Sequence, residues 1–296
     1  MSLTISALAH ISAEPPGMSE TSPATTVWRD GDQPVAYGTT RGDWHWLRVI
    51  GAGSYRFPVR FTEGVIACGV VAEAGARPEV IVDCHYRTVV PLALQAYGYE
   101  VLHGSAVAMA GGVFALCAER GTGKSTIAFA LQQRGHGVLA DDAVVVSVPA
   151  AGEMRRPTVE PLPFALRLRA PSASHFGAPG KEEVLVGAGK ESALAQAIPL
   201  AAIVLMARHD GPLELVRLGA REAFTRLLGQ SYAFSPHDKA RKRAMLASYM
   251  RVVNLVPTYR LDLPAGLEHL DGICRALEGL ATGPVAAPSA PARDSR

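Results

Sequence analysis

The chain has 296 residues, 48% of them hydrophobic and 19% charged, with a formal net charge of +2. That length supports one large or two ordinary domains with real cores, and the near-neutral balance gives no strong field for nucleic acid or an anionic membrane. No apolar run approaches the ~18 residues of a membrane span. The stretch before Arg29 carries no positive charge of the kind a secretory signal needs, and the four cysteines (68, 84, 117, 274) form no C-x-x-C pair. A cytoplasmic protein with reduced cysteines and no metal framework is expected.

Residues 1–25 are rich in Ser, Thr, Pro and Ala and read as disordered. Residues 26–99 read as a β-rich region. Trp44–Ile50, Tyr55–Phe61, Gly64–Val71 and Val80–Asp83 are candidate strands between Gly and Asp turns. Trp28, Trp44 and Trp46 are expected to pack in the core or across strands. Thr88–Ala96 predicts a helix, ended by Gly98.

A second domain is expected over 100–281. Two strands meet at the Gly111-Gly112 turn, and the second, Gly112–Ala118, is a short continuous apolar run of the buried kind. Thr126–Arg134 is rich in helix formers and closed by Gly135. Gly137–Ala140 predicts a buried strand that ends in Asp141-Asp142, with Ala143–Val148 carrying on apolar. Phe164–Arg169 alternates as a strand, and 170–198 reads as a long loop. Leu200–Ala207 is a buried strand, expected to hairpin with Leu213–Leu218. Ala220–Gln230, Pro236–Val253 and Ala265–Leu280 have helical periodicity, with Thr258–Leu263 a strand between the last two. Residues 282–296 read as a disordered tail. The expected fold class is α/β, a mixed sheet flanked by helices behind a β-rich N-terminal region.

Between the strand 112–118 and the helix 126–134 lies Ala118-Glu-Arg-Gly-Thr-Gly-Lys-Ser125, continued by Thr126. Strand, glycine turn and helix are the context of a phosphate-binding loop (P-loop, Walker A). Gly121, Thr122, Gly123, Lys124, Ser125 and Thr126 are the candidate nucleotide-binding residues. Glycines let the backbone approach phosphate oxygens, and the free N–H groups of the helix start favour an anion. Lys124 would reach the β/γ-phosphates and the Ser125 hydroxyl would ligate Mg²⁺. The chain has only five lysines and none precedes Lys124, so a composition that otherwise writes Arg keeps Lys here. A compact ammonium suits a phosphate cradle better than a planar fork. The motif departs at its first position, where Ala118 replaces Gly and requires negative φ.

Asp141-Asp142 closes the strand after the loop helix, where open α/β sheets hold their ligands. Phosphoryl transfer needs a carboxylate at the metal and a group to take the proton of an attacking hydroxyl, and two adjacent acids can divide those tasks. His103 would be returned toward the loop by the hairpin. The basic run Lys239–Arg243 reads as a solvated helix face or a dock for an acidic peptide, and Arg260 as a partner of Asp262 or a phosphate ligand.

His103-Gly104, then Lys124-Ser125, then Arg134-Gly-His-Gly-Val-Leu-Ala-Asp-Asp142 stand in the order and at the distances found in bacterial HPr kinase/phosphorylase. Residues 100–148 resemble the catalytic domain of that family. The resemblance implies a fold related to phosphoenolpyruvate carboxykinase and HPr kinase, with ATP and Mg²⁺ held by Lys124 and Ser125. It implies that one acid is the base on a substrate serine and the other serves the metal, with His103 beside them. Asp141, Asp142 and His103 are therefore the expected catalytic group, and Ser125 with Asp142 the expected metal ligands. The family's metal-binding Glu stretch has no match, Glu160 being nearest by position, and residues 1–100 do not resemble its N-terminal domain. The chain is more similar to the shorter HPr-kinase-related proteins, some of which accompany lasso-peptide biosynthesis.

The expected activity is transfer of the γ-phosphoryl group of ATP to a Ser or Thr hydroxyl on a small protein or peptide. The alternatives are a small-metabolite kinase and a non-catalytic ATP-binding switch protein. No nucleic-acid or membrane partner is expected, and a homo-oligomer is compatible with the sequence.

Overall fold

A computed structural model describes residues 4–17, 25–30, 33–62, 64–153, 155–162, 165–177, 183–187, 197–234 and 238–282. The N-terminal part opens with short strands β1 (Thr4–Ile5) and β2 (Ala9–His10). A meander follows: β3 (Thr25–Asp30), β4 (Gln33–Arg41), β5 (Trp44–Val49) and β6 (Gly53–Pro58), then β7 (Val65–Ile66) and β8 (Gly69–Ala72). Six of these form a sheet in the order β2-β8-β6-β5-β4-β3. Along β6, Gly53, Tyr55 and Phe57 are buried and their neighbours are less so, the period of two of a half-buried strand. Trp46 is buried beside Tyr37, with Trp44 against them; the Trp28 side chain lies outside the described residues.

Two expectations for this part are corrected. Residues 4–17 are not disordered: β1 pairs in parallel with β7 and β2 with β8. Ile5, Leu8 and Ile11 pack against the apolar clusters of the sheet, which offsets the entropy of ordering the strap. Val80–Asp83 is helical rather than extended. It lies in α1 (Pro78–Cys84), which continues through a π-helical turn, His85–Val89, into α2 (Val90–Ala96). Pro78 sits in the first turn, where its fixed φ suits a helix and its missing N–H costs nothing. Pro91 cannot donate to the carbonyl of Arg87 four residues earlier, and its ring crowds that carbonyl. The chain widens there, and the Val90 N–H reaches back five residues to the His85 carbonyl.

The second part contains β9 (Glu100–Leu102), β10 (Gly104–Met109), β11 (Gly112–Cys117), α3 (Lys124–Gln133), β12 (Gly137–Ala140), β13 (Val144–Ser147) and β14 (Thr158–Glu160). Then come β15 (Ala165–Arg169), α4 (Ala170–His175), β16 (Glu183–Gly187), β17 (Ile198–Arg208), β18 (Glu214–Arg217) and α5 (Ala220–Leu228). The described chain ends with α6 (Lys239–Leu255), β19 (Thr258–Leu263) and α7 (Leu270–Thr282). Among the described residues a nine-stranded mixed sheet runs β12-β10-β11-β17-β14-β13-β9, with β19 on β17 and β18 on β19. β11 and β17 are apolar on both faces because both are covered. Phe114, Leu116, Val204 and Met206 pack with Phe129, Ile127, Ile273 and Leu277 from α3 and α7. Ala115, Cys117, Ile203 and Leu205 pack with Leu227, Tyr249 and Val252 from α5 and α6.

β18 pairs with β19, not with β17 as expected. One edge of β17 is taken by β11 and the other by β14 and β19, so no edge remains for a hairpin partner. The stretch expected as a loop over 170–198 holds α4 and β16, and β16 pairs with β15. α6 begins at Lys239 because the Asp238 side chain accepts from the N–H groups of Ala240 and Arg241. Arg241, in the basic run, turns inward. It donates to the carbonyls of Gln95 and Tyr99 and pairs with buried Glu100, so it joins α6 to the end of α2. Positions 283–296 of the expected tail lie outside the described residues.

The boundary expected at residue 99 falls between α2 and β9, but one core crosses it. Tyr55, Phe57, Leu92 and Leu94 share a cluster with Val101, Val145, Leu162 and Phe234. The N-terminal part is thereby packed on the back of β9 and β13 and reaches the end of β12.

Candidate functional site

The glycine turn is built for close approach. Gly121 has φ 88° and Gly123 φ 114°, conformations that L side chains rarely adopt. Gly123 is the N-cap of α3 and no side chain caps the helix, so the N–H groups of its first turn are left for a ligand. Ala118 tolerates the first motif position because its φ is negative: among the described residues Asp142 is the one non-glycine with positive φ. Lys124 is 5% exposed and donates to the carbonyls of Ala118 at 2.7 Å and Glu119 at 3.0 Å. Burial holds its ammonium below the ordinary value, opposed in part by Asp142 and reinforced by Arg169. Thr126 bonds Ser172 of α4, and Thr122 is buried in the turn.

A cleft of about 370 Å³ opens over this turn, lined among others by Lys124, Ser125, Arg167, Arg169 and Arg208. A Cβ on Gly121 would lie 3.7 Å from the Arg169 guanidinium, and one on Gly123 3.2 Å from that of Arg208. Arg208 donates to the Pro264 carbonyl. Among the described residues Lys124, Arg169 and Arg208 have no carboxylate partner. Three cations near a helix N-terminus, none with a carboxylate partner among the described residues, give this cleft the character of an anion site. Arg169 and Arg208 were not singled out in the sequence. Arg169 does end an alternating strand, but Arg208 meets the loop only through the parallel pairing of β11 with β17.

The acid pair sits beside the turn because β12 pairs with β10 and ends next to the start of α3. Asp141 and Asp142 then part company. Asp141 is 5% exposed and accepts from Ser105 Oγ at 2.6 Å. Ser125 Oγ lies 3.0 Å from both of its oxygens. Burial and the neighbouring charge of Asp142 push the Asp141 carboxyl up to about 6. The pairing expected at a metal, Ser125 with Asp142, is therefore not the one formed; Ser125 meets Asp141. A hydroxyl and a carboxylate in contact are the hard oxygen donors that suit Mg²⁺, which commonly takes one or two protein ligands and completes its shell with phosphate and water.

Asp142 has φ 66°. Asp tolerates that region better than most residues, and its carbonyl accepts from three donors that hold it there. These are His103 Nδ1 at 3.1 Å, the Tyr232 hydroxyl at 3.2 Å and the Gly104 N–H at 3.4 Å. His103 thus supports the backbone of Asp142. Since a carbonyl can only accept, Nδ1 carries the proton. Burial, with Lys124 nearby, holds this imidazole below its ordinary value, which favours its neutral form. Gly104 is required beside it, because a Cβ there would lie 2.7 Å from the Leu116 carbonyl. The Asp142 carboxylate is partly open, at 32% side-chain exposure, and pairs with Arg87 from the π-turn. Ser105, Tyr232 and Arg87 were missed in the sequence. The lone Arg87 in the run His85–Val90 was its faint signal for an inserted charge.

Other singled-out residues lie elsewhere. Arg134 and His136 both bind Glu278 of α7, and Arg134 also Asp271, which ties α3 to α7. Arg260 pairs with Asp262 at 2.9 Å and with Glu214. Glu160 lies on β14 beside Tyr99, with no hydrogen bond to the loop or the acid pair. Lys239, Lys242 and Arg243 are exposed on α6. All four cysteines are free. No described helix is long and apolar enough to cross a membrane.

Neither protein-family models nor curated protein sequences give a match to this chain. Among solved structures, the Hpr(Ser) kinase/phosphatase from Coxiella burnetii is similar over 61% of this chain and 89% of that one, at 14% identity and a TM-score of 0.36. A likeness that loose carries no argument about activity; the α/β architecture of a mixed sheet flanked by helices stands on the geometry given above.

Proposed function

We propose that the protein is an ATP-dependent kinase that moves the γ-phosphoryl group to a Ser or Thr hydroxyl of a small protein or peptide. The observation that carries this reading is the division of charge around the turn. Lys124, Arg169 and Arg208, with no carboxylate partner among the described residues, lie around the helix start, and the Ser125–Asp141 pair and the partly exposed carboxylate of Asp142 stand beside it. Mg²⁺ bound at Ser125 and Asp141 would neutralise charge on the β- and γ-phosphates. Lys124 and the N–H groups of 121–126 hold those phosphates in place. Arg169 and Arg208 cover them from the cleft. Asp142 takes the proton of the acceptor hydroxyl as the acceptor oxygen bonds to the γ-phosphorus and the bond to the bridging oxygen of ADP breaks. His103 and Tyr232 keep Asp142 in its left-handed conformation.

The peptide or protein nature of the acceptor rests on the resemblance of residues 100–148 to HPr kinase/phosphorylase. The test is transfer of labelled γ-phosphate from Mg-ATP to a mixture of serine- and threonine-centred peptides, run beside a panel of small hydroxyl metabolites. Label on peptide that is lost in Asp141→Asn/Asp142→Asn is expected. Unchanged transfer by that double variant would sink the reading. Label on a metabolite alone would make the protein a small-molecule kinase, and nucleotide binding with no transfer would make it a switch.

A further inference from the structure

We propose that Arg87, on the π-turn of the N-terminal part, is a positioning residue of the phosphoryl-transfer site and fixes the carboxylate of Asp142 in its working orientation. The inference rests on the kinase reading and adds to it a part of the chain outside the stretch that resembles a kinase. Arg87 is 17% exposed. Its Nε donates to Asp83 Oδ1 at 3.0 Å, and its Nη1 pairs with Asp142 Oδ2. One planar fork thus bridges two carboxylates, one on its own helix and one at the end of β12. Asp83 is held in turn by Arg167 at 2.6 Å, and Arg167 lines the cleft over the phosphate turn. A continuous run of ion pairs, Asp142–Arg87–Asp83–Arg167, therefore joins the acceptor side of the turn to its nucleotide side.

The bland alternative is an ion pair that merely fastens two parts of the chain. Packing already does that: Tyr55, Phe57 and Leu94 share a buried cluster with Val145 and Leu162. A partly buried ion pair adds little to such an interface, because the desolvation of both charges offsets their attraction. Its value lies in direction. A lone Asp side chain at a strand end can swing about two torsions, whereas a guanidinium fork fixes which oxygen faces outward. The widened turn that carries Arg87 is also the kind of irregularity found at functional sites. Burial works to lower the basicity of Arg87, and Asp142 and Asp83 outweigh it, so the cation is permanent.

The experiment uses the full chain with Mg-ATP, labelled at the γ-phosphate, and an equimolar mixture of serine-centred peptides. Wild type, Arg87→Ala, Arg87→Lys, Asp142→Asn and the double variant Arg87→Ala/Asp142→Asn are compared. Binding of a fluorescent ATP analogue and the midpoint of thermal unfolding are followed in parallel. Arg87→Ala is expected to lower kcat about 10²-fold, with nucleotide Kd changed by no more than about threefold. Arg87→Lys falls between, since a point charge cannot span two carboxylates. In the Asp142→Asn background the loss of Arg87 costs less than about threefold more, because one acts through the other. Dilute guanidinium restores part of the turnover of Arg87→Ala and none of Asp142→Asn. Should Arg87→Ala fail to fold, Arg87→Lys and Arg87→Gln carry the same comparison. Wild-type kcat in Arg87→Ala, or losses at the two positions that simply multiply, would overturn this proposal and leave the kinase reading standing. No transfer by the wild type would overturn both.

Discussion

The two walls of the glycine turn at 121–125 are built on opposite principles. On one side Lys124, Arg169 and Arg208 have no described carboxylate partner, and the charge of Arg169 is felt at the Lys124 ammonium. On the other side the polar groups are already held: Asp141 accepts from Ser105 and Ser125, Asp142 pairs with Arg87, and the Asp142 carbonyl accepts from His103, Tyr232 and Gly104. Unanswered charge marks where a ligand must bring its own counter-charge. Answered charge marks machinery held in shape before the ligand comes, which is how a site avoids reorganisation at the moment of reaction.

Four substitutions would sharpen or break that contrast. The largest effect is expected at Lys124→Ala, which removes the buried cation of the turn. γ-Phosphate transfer should fall by at least about 10³-fold, with a matching loss of ATP-analogue fluorescence. Asp142→Asn should cost about 10²–10³-fold in kcat and leave Kd for Mg-ATP close to wild type, because it strikes the acceptor wall alone. A large rise in Kd instead would place Asp142 on the nucleotide side. Arg169→Ala and Arg208→Ala should each weaken ATP and ADP binding about tenfold, as expected for one lost charge-assisted hydrogen bond. Equal weakening of AMP binding would show that they do not hold the outer phosphates.

The smallest effect concerns the support beneath Arg87. His85 is fully buried, neither ring nitrogen has a hydrogen-bond partner among the described residues, and burial lowers its pKa to about 4. Its folded-state value lies below the unfolded value near 6.5, so the unfolded chain binds the extra proton and stability is lost as pH falls from 6.5 toward 4. That contribution is on the order of 3 kcal/mol across the window. His85→Phe should therefore narrow the drop in urea midpoint between pH 7 and pH 4.5. An identical drop in both proteins would mean that the imidazole is hydrated or paired.

Much of the nucleotide wall was legible before folding. The strand expected over Gly112–Ala118 runs Gly112–Cys117, and the glycines at 121 and 123 take the positive φ such a turn demands; the helix expected over Thr126–Arg134 starts two residues earlier, at Lys124. β19 also coincides with the run Thr258–Leu263. The helix at 78–84 was misread because Val80-Ile-Val has strand propensity, although Pro78 at its first turn was the better signal. The hairpin of 213–218 failed for a different reason. Which edge of a central strand is free depends on every other strand in the sheet.

The sequence by itself determined a glycine turn between a strand and a helix, and a pair of acids one strand further on. Each of these follows from neighbours a few residues apart, through glycine conformations, apolar runs and helix starts. Only the tertiary structure decided that Ser125 meets Asp141 rather than Asp142. The same packing brings Arg87 to Asp142 across 55 positions and gathers Arg169 and Arg208 over the turn. Such contacts are set by the register of β12 on β10 and by the shared core beneath β13, which no local pattern of residues encodes.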